Sequence, residues 1–132
     1  MRLFPGTRPK NLGAPAGKLR PAPRTPNGVS SQADPSDPEH YIEPIRFAGN
    51  PAKAWAKLVA ALRATPRVAV ITDKGKYLHA ECSSALLGFV DDLECVLDRK
   101  AGLIHVRSAA RLGRRDFGVN RARVEALRKA MS

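Results

Sequence analysis

Six titratable side chains sit at spacings that a pleated sheet can gather: His79 and Glu81, Asp92 and Glu94, His105 and Arg107. Within each pair one residue intervenes, and the flanking positions Leu78, Ala80, Leu93, Cys95, Ile104 and Val106 are apolar. Alternation at a period of two sends the two sets to opposite faces of a sheet. On strands about 4.8 Å apart, imidazole and carboxylate groups reach one another or a common hard or borderline divalent ion. The same groups also make a salt-bridge and hydrogen-bond network, with His79 and Arg107 on either side of Glu94. An arginine in that row opposes a cation. The reading is a ligand or partner face, with no catalytic residue, metal or cofactor assigned.

Two further chemistries are available. Arg107, Ser108, Arg111 and the backbone near Gly118–Asn120, with Arg121 beyond, are candidates for an anion site; in the structural alternative Asp116 takes one of these arginines. A hydrolase would bring Ser30 or Ser31 to His79 and a carboxylate of the Glu81, Asp92 and Glu94 set, metal-assisted or not. No G-x-S-x-G elbow accompanies those serines.

The elements that must position these residues follow from pattern. Tyr41–Ala48 reads as a strand, and its Pro44 belongs at a sheet edge. Asn50-Pro51 opens a helix as N-cap and first-turn proline, with Trp55, Leu58, Val59 and Leu62 as its apolar stripe and Pro66 as its stop. Arg67–Thr72 is the second strand. With Lys74-Gly75 as a two-residue turn, Ile71 pairs with Leu78 and Val70 with His79. Strands through Tyr77–Cys82, Val90–Asp98 and Leu103–Ala109 follow. A four-residue loop, Arg99–Gly102, sets Leu97 opposite Ile104, Cys95 opposite Val106 and Glu94 opposite Arg107; a five-residue loop would set Glu94 against Val106. The same parity puts His79 beside Glu94 and Glu81 beside Asp92, in a row Val70–His79–Glu94–Arg107. Asn120 is expected to cap a final helix with Val124, Leu127 and Met131 inward.

The expected fold is α+β, in the order strand, helix, four antiparallel strands, helix. Both helices pack on the face of Ala69, Ile71, Leu78, Ala80, Leu93, Cys95, Leu97, Ile104 and Val106. Topologically this resembles TATA-binding-protein-like domains, a likeness that carries no function. Cys82 and Cys95 share the buried face about 13 Å apart along the sheet, too far for a disulfide, so both are expected free.

Most of the eleven prolines fall in residues 1–39, which form an extended basic arm ahead of a domain at 40–132. Six of the cations, Arg2, Arg8, Lys10, Lys18, Arg20 and Arg24, precede the first acid, Asp34, in a chain of formal charge +11. Such an arm can seek an acidic protein or nucleic acid through residues 1–25. With aromatics at 5% of the chain, a base-stacking platform is not expected. Neither an apolar run of secretory type nor one of about 20 residues appears, so we expect a cytoplasmic chain without a membrane span.

Several motifs together resemble the family catalogued as domain of unknown function 1499. They are Pro26-Asn27-Gly28-Val29-Ser30-Ser31-Gln32, Tyr77-Leu78-His79-Ala80-Glu81, Gly88-Phe89-Val90-Asp91-Asp92-Leu93-Glu94, Ile104-His105-Val106-Arg107-Ser108-Ala109-Ala110-Arg111, and Asp116-Phe117-Gly118-Val119-Asn120-Arg121 with Val124-Glu125. The resemblance implies a shared fold and no established activity. Where that family's pattern often carries a cysteine on either side of the first motif's proline, this chain has Ala22 and Gly28, which implies no bridge and fits a reducing compartment. The expectation is a non-enzymatic domain that docks a protein partner or larger assembly through its arm and charged sheet face.

Overall fold

Asn50 and Pro51 start the first helix as their types require: the Asn50 side chain accepts the amide of Lys53 at 3.1 Å, and helix α1 runs Pro51–Arg63. Its stripe Ala54, Trp55, Leu58 and Leu62 is buried. The computed structural model describes residues 3–132. The strands are β1 (Gly28–Ser30), β2 (Ile45–Arg46), β3 (Val68–Asp73), β4 (Tyr77–Ser83), β5 (Val90–Asp98) and β6 (Leu103–Ala110), and the chain ends on helix α2 (Val119–Met131). The sheet order is β1-β6-β5-β4-β3, with β2 also on β6, and every strand pair is antiparallel. The fold is α+β with two helices, as expected, plus one strand that the sequence pattern does not announce. That strand, β1, pairs with Arg107–Ala109, while β2 pairs with Leu103 and Ile104, so two short strands share one edge of β6. Of the expected Tyr41–Ala48 strand only Ile45–Arg46 pairs with β6, because Pro44 offers no N–H to a ladder.

Side-chain parity sets the central registers as expected. His79 lies opposite Glu94 and Glu81 opposite Asp92; Glu94 lies opposite Arg107, Cys95 opposite Val106 and Leu97 opposite Ile104. The β5–β6 turn closes over Arg99–Gly102, with Gly102 at φ 69°, a conformation that favours glycine. One hairpin differs. Lys74 and Gly75 do not form a two-residue loop: Asp73 lies opposite Leu78, Thr72 opposite His79 and, after a bulge at Ile71, Val70 opposite Ala80. The Asp73 carboxylate explains the wider turn, since its Oδ1 accepts both the Gly75 amide and the Trp55 indole at 2.9 Å. The bulge then reverses the parity of β3, an edge strand where such irregularities concentrate. Val68 and Val70 pack on the core, Ala69 and Ile71 are exposed, and Thr72 takes the place expected for Val70 beside His79.

The core lies between the helices and the sheet. Leu78, Ala80, Leu93, Cys95, Ile104 and Val106 are fully buried there with Leu58 and Val124. Both cysteines are free, as expected. Burial raises the Cys82 thiol to about 11 and the Cys95 thiol further, which keeps both protonated. The expected cap of α2 is corrected. Asn120 sits inside the first turn, fully buried, and Asp116 does the capping: its Oδ2 accepts the Asn120 amide at 3.1 Å and its Oδ1 accepts that of Gly118 at 2.9 Å. Gly118, at φ 81°, makes the left-handed step into the helix. Among the described residues no helix is long and apolar enough to cross a membrane.

Candidate functional site

The polar face of the sheet is built by the odd-numbered residues of β4 and β6 and the even-numbered residues of β5. One cross-strand row reads Thr72, His79, Glu94, Arg107, Ser30, and the next carries Glu81 and Asp92. His79, Glu81, Asp92, Glu94 and Arg107 are all buried, although the helices cover the opposite face. The cover here is the chain's own arm. The Arg8 Nε donates to Glu81 Oε2 at 2.6 Å, the Gly13 amide to Glu94 Oε2 at 2.8 Å, and Arg107 Nε to the Pro21 carbonyl at 3.1 Å. Arg111 reaches the Pro5 carbonyl at 3.4 Å, and the amides of Leu3 and Phe4 donate to the Leu87 carbonyl. An extended proline-rich segment has few internal uses for its backbone groups, so these bonds are what order it.

Arg111 organises the centre of this face. Its Nε and Nη2 grip Asp92 in a fork at 2.8 Å each, and Nη2 also donates to Glu81 at 2.6 Å. His79 Nε2 meets Asp92 Oδ1 at 2.7 Å. For Asp92, burial alone would raise the carboxyl, but hydrogen bonds from Arg111 and His79 outweigh it and hold it at about 2. Glu81 is likewise held at about 2: burial is opposed and exceeded by the Arg8 and Arg111 bonds. Arg111 is raised in turn, mainly by its bond to Asp92.

The expected network placed His79 and Arg107 on either side of the Glu94 carboxylate. The row has that order, but the bonds go elsewhere. Glu94 Oε2 accepts from the Tyr77 hydroxyl and from Gly13, and its Oε1 has no hydrogen-bond partner among the described residues. Burial first, and then Glu94, raise the Tyr77 phenol, so it stays the donor. The reason for the rearrangement is Arg111, whose side chain continues the period of Arg107 and Ala109. Ala109, opposite Asp92, is small and leaves that carboxylate open to it.

His79, Glu81 and Asp92 bring ligand atoms within 4.8 Å of one another, the spacing of a metal site. Both carboxylates are already bonded by Arg111, and Glu81 by Arg8 as well, so two guanidinium charges oppose a cation there. Of the anion candidates only Arg107 and Arg111 come together, on the polar face. Ser108 of β6 and Asn120 of α2 are buried together where the two elements meet, joined at 2.6 Å; Arg111 is on the polar face; Arg121 Nη2 donates to the carbonyls of Pro38 and Tyr41.

His105 lies apart from the Arg111 cluster. Its Nδ1 is 3.0 Å from Ser31 Oγ, which also accepts the Val106 amide at 2.8 Å. Burial lowers the His105 pKa and keeps the ring neutral. Ser31 and His105 open on a groove of about 1030 Å³ that is also walled by Leu19, Tyr41 and Arg46. Ser30 is buried, and its Oγ accepts the Gln32 amide at 3.1 Å. Neither serine bonds to His79, whose ring faces Asp92. Pattern reading did not find the Ser31–His105 pair because β1, which aligns Ser31 beside Val106, is only three residues long and lies among prolines.

A family model, described as a protein of unknown function (DUF1499), matches residues 18–131. No curated protein and no solved structure matches the chain.

Proposed function

The chain belongs to the DUF1499 family, and from that premise we propose that it is a non-enzymatic binding domain that docks a protein partner or larger assembly through its basic arm and the charged face beneath it. The observation that carries this reading is the arm's own seating. Arg8 donates to Glu81 and the Gly13 amide to Glu94, so the face already accepts an extended, basic, proline-rich segment. Its strongest acids are held ionised within ion pairs rather than poised near neutral pH, which suits recognition better than proton transfer. With the arm in place, Lys10, Lys18 and Arg24 are exposed, and an acidic partner surface is their complement. Arg8 is engaged with Glu81, which leaves one arm charge fewer for a nucleic-acid backbone. A reducing, cytoplasmic setting belongs to this reading and agrees with two free buried cysteines.

The test compares the full chain with one lacking residues 1–17 as bait in pull-downs, at low salt and at about 1 M, where screening falls to about 3 Å. Circular dichroism confirms that both baits are folded. Partners retained by the full chain at low salt are expected to be lost on truncation and in high salt. A partner set unchanged by truncation removes the arm from the account.

One observation favours a second reading, hydrolysis by Ser31 with His105 as base in the large groove. Against it, the Ser31 hydroxyl oxygen accepts a backbone amide in the β1–β6 ladder, and no carboxylate among the described residues is hydrogen-bonded to His105 to orient it. Hydrolysis of p-nitrophenyl acetate is expected to be the same for the wild type and Ser31→Ala. A fall of about tenfold or more in the variant, about 1.4 kcal/mol of barrier, would establish the serine as a nucleophile.

A further inference from the structure

We propose that Arg20 and Arg107 form a binding site for a compact oxyanion, a carboxylate or phosphate group on a small molecule, in the cavity between the arm and the sheet. Of the residues read from the sequence as an anion site it keeps Arg107, joined by Arg20 of the arm, and it does not depend on partner docking.

The cavity holds about 400 Å³, a size suited to a small ligand. Its charged walls are Arg20, Arg107, Arg111 and Asp92, with Asn11 and Thr7 beside them. Asp92 and Arg111 neutralise each other, and His79 and Glu81 complete their bonding. Two guanidiniums are left over. Arg107 is 4% exposed; its Nε donates to the Pro21 carbonyl, and its Nη1 is buried with no partner among the described residues. Arg20 donates from Nη1 to Asn11 at 2.7 Å, and its Nε is also buried and unpartnered. Among the described residues neither side chain is hydrogen-bonded to a carboxylate.

A guanidinium taken out of water ordinarily acquires a counter-charge, because its donors lose solvent and its field is no longer screened. The nearest acid across the strands, Glu94, spends its Oε2 on Gly13 and Tyr77, and its remaining oxygen is itself unpartnered. Burial, followed by the charge of Arg20, lowers Arg107 to about 10, so its guanidinium remains cationic at neutral pH. Two guanidiniums that wall one small cavity, each with a buried N–H lacking a partner among the described residues, are the complement of an oxyanion, which accepts such donors in pairs. The arm supplies one arginine and the sheet the other, so the bound anion would also tie the two together.

The experiment follows the thermal unfolding of the full chain in sodium phosphate and in sodium citrate, against sodium chloride at matched ionic strength. A rise of about 5 °C is expected in at least one of the two at concentrations well above Kd. Whichever anion acts identifies the group as phosphate or carboxylate. Both salts also stabilise proteins by exclusion from the surface, so the variants decide. Arg20→Gln retains an amide donor for Asn11 and leaves the Arg111 cluster intact, so it is expected to fold and to lose the rise; Arg107→Gln, where folded, does the same. No rise in either salt, or a rise that Arg20→Gln retains, overturns the site.

Discussion

Replacing Arg111 by alanine is expected to lower the unfolding free energy by about 3–5 kcal/mol, the range for removing one partner of a buried ion pair. The variant leaves Asp92, 1% exposed, with only His79 among the described residues, and takes from Glu81 its link to Arg111 just past the end of β6. The cost lies less in a lost attraction than in a carboxylate stranded away from water. Urea unfolding measures it as a lower midpoint at unchanged slope. The double variant Arg111→Met with Asp92→Asn, which removes both charges, is expected to recover much of the loss. If Arg111→Ala alone costs under about 1 kcal/mol, the cluster behaves as an exposed pair and the arm does not exclude solvent from it.

Acid is expected to destabilise the domain through the same two carboxyls. Folded Asp92 and Glu81 titrate at about 2, against ordinary values of 3.8 and 4.5. Folded values below unfolded ones mean that the stabilisation is complete above the unfolded pKa and is lost as pH falls through the folded one. The window is therefore from about pH 4.5 down to about 2. Two units correspond to about 2.7 kcal/mol for one group, and because both share Arg111 the combined loss is about 3–5 kcal/mol. Asp91 works in the opposite sense: burial raises its pKa against the pull of Arg123, so protonating it offsets a little of the loss. Urea midpoints measured from pH 7 to pH 2 should fall steeply in the wild type below pH 4.5 and less so in Asp92→Asn. Parallel curves for the two proteins would show that Asp92 is not among the groups responsible.

How much of the site was legible follows from what kind of signal each residue carries. His79 opposite Glu94 and Glu94 opposite Arg107 follow from alternation in β4, β5 and β6, since a one-residue slip would bury charge against α1 and α2. The bonds those residues make do not follow from alternation. Glu94 turns to Gly13, 81 residues away in the chain, and Asp92 to Arg111, one residue past the end of β6. Small details decide such choices: the size of Ala109, the reach of a guanidinium, the position of an arm. In β3 the pattern misled, because Val68, Val70, Ala69 and Ile71 are all acceptable core residues, and the side chain of Asp73, bonded to Trp55, settled which pair turned inward.

By its own order of residues the chain determined an α+β sheet with two helices, the β4–β5–β6 registers, free cysteines and a basic arm, because periodicity, capping types and proline act locally and leave marks within a few residues. Only the tertiary structure decided that the arm closes the charged face, that Arg111 rather than Arg107 pairs with the carboxylates, and that Arg20 and Arg107 keep donors without a partner among the described residues. Those outcomes depend on which groups meet across long sequence separations, where hydrogen-bond geometry and desolvation choose among partners of equal charge.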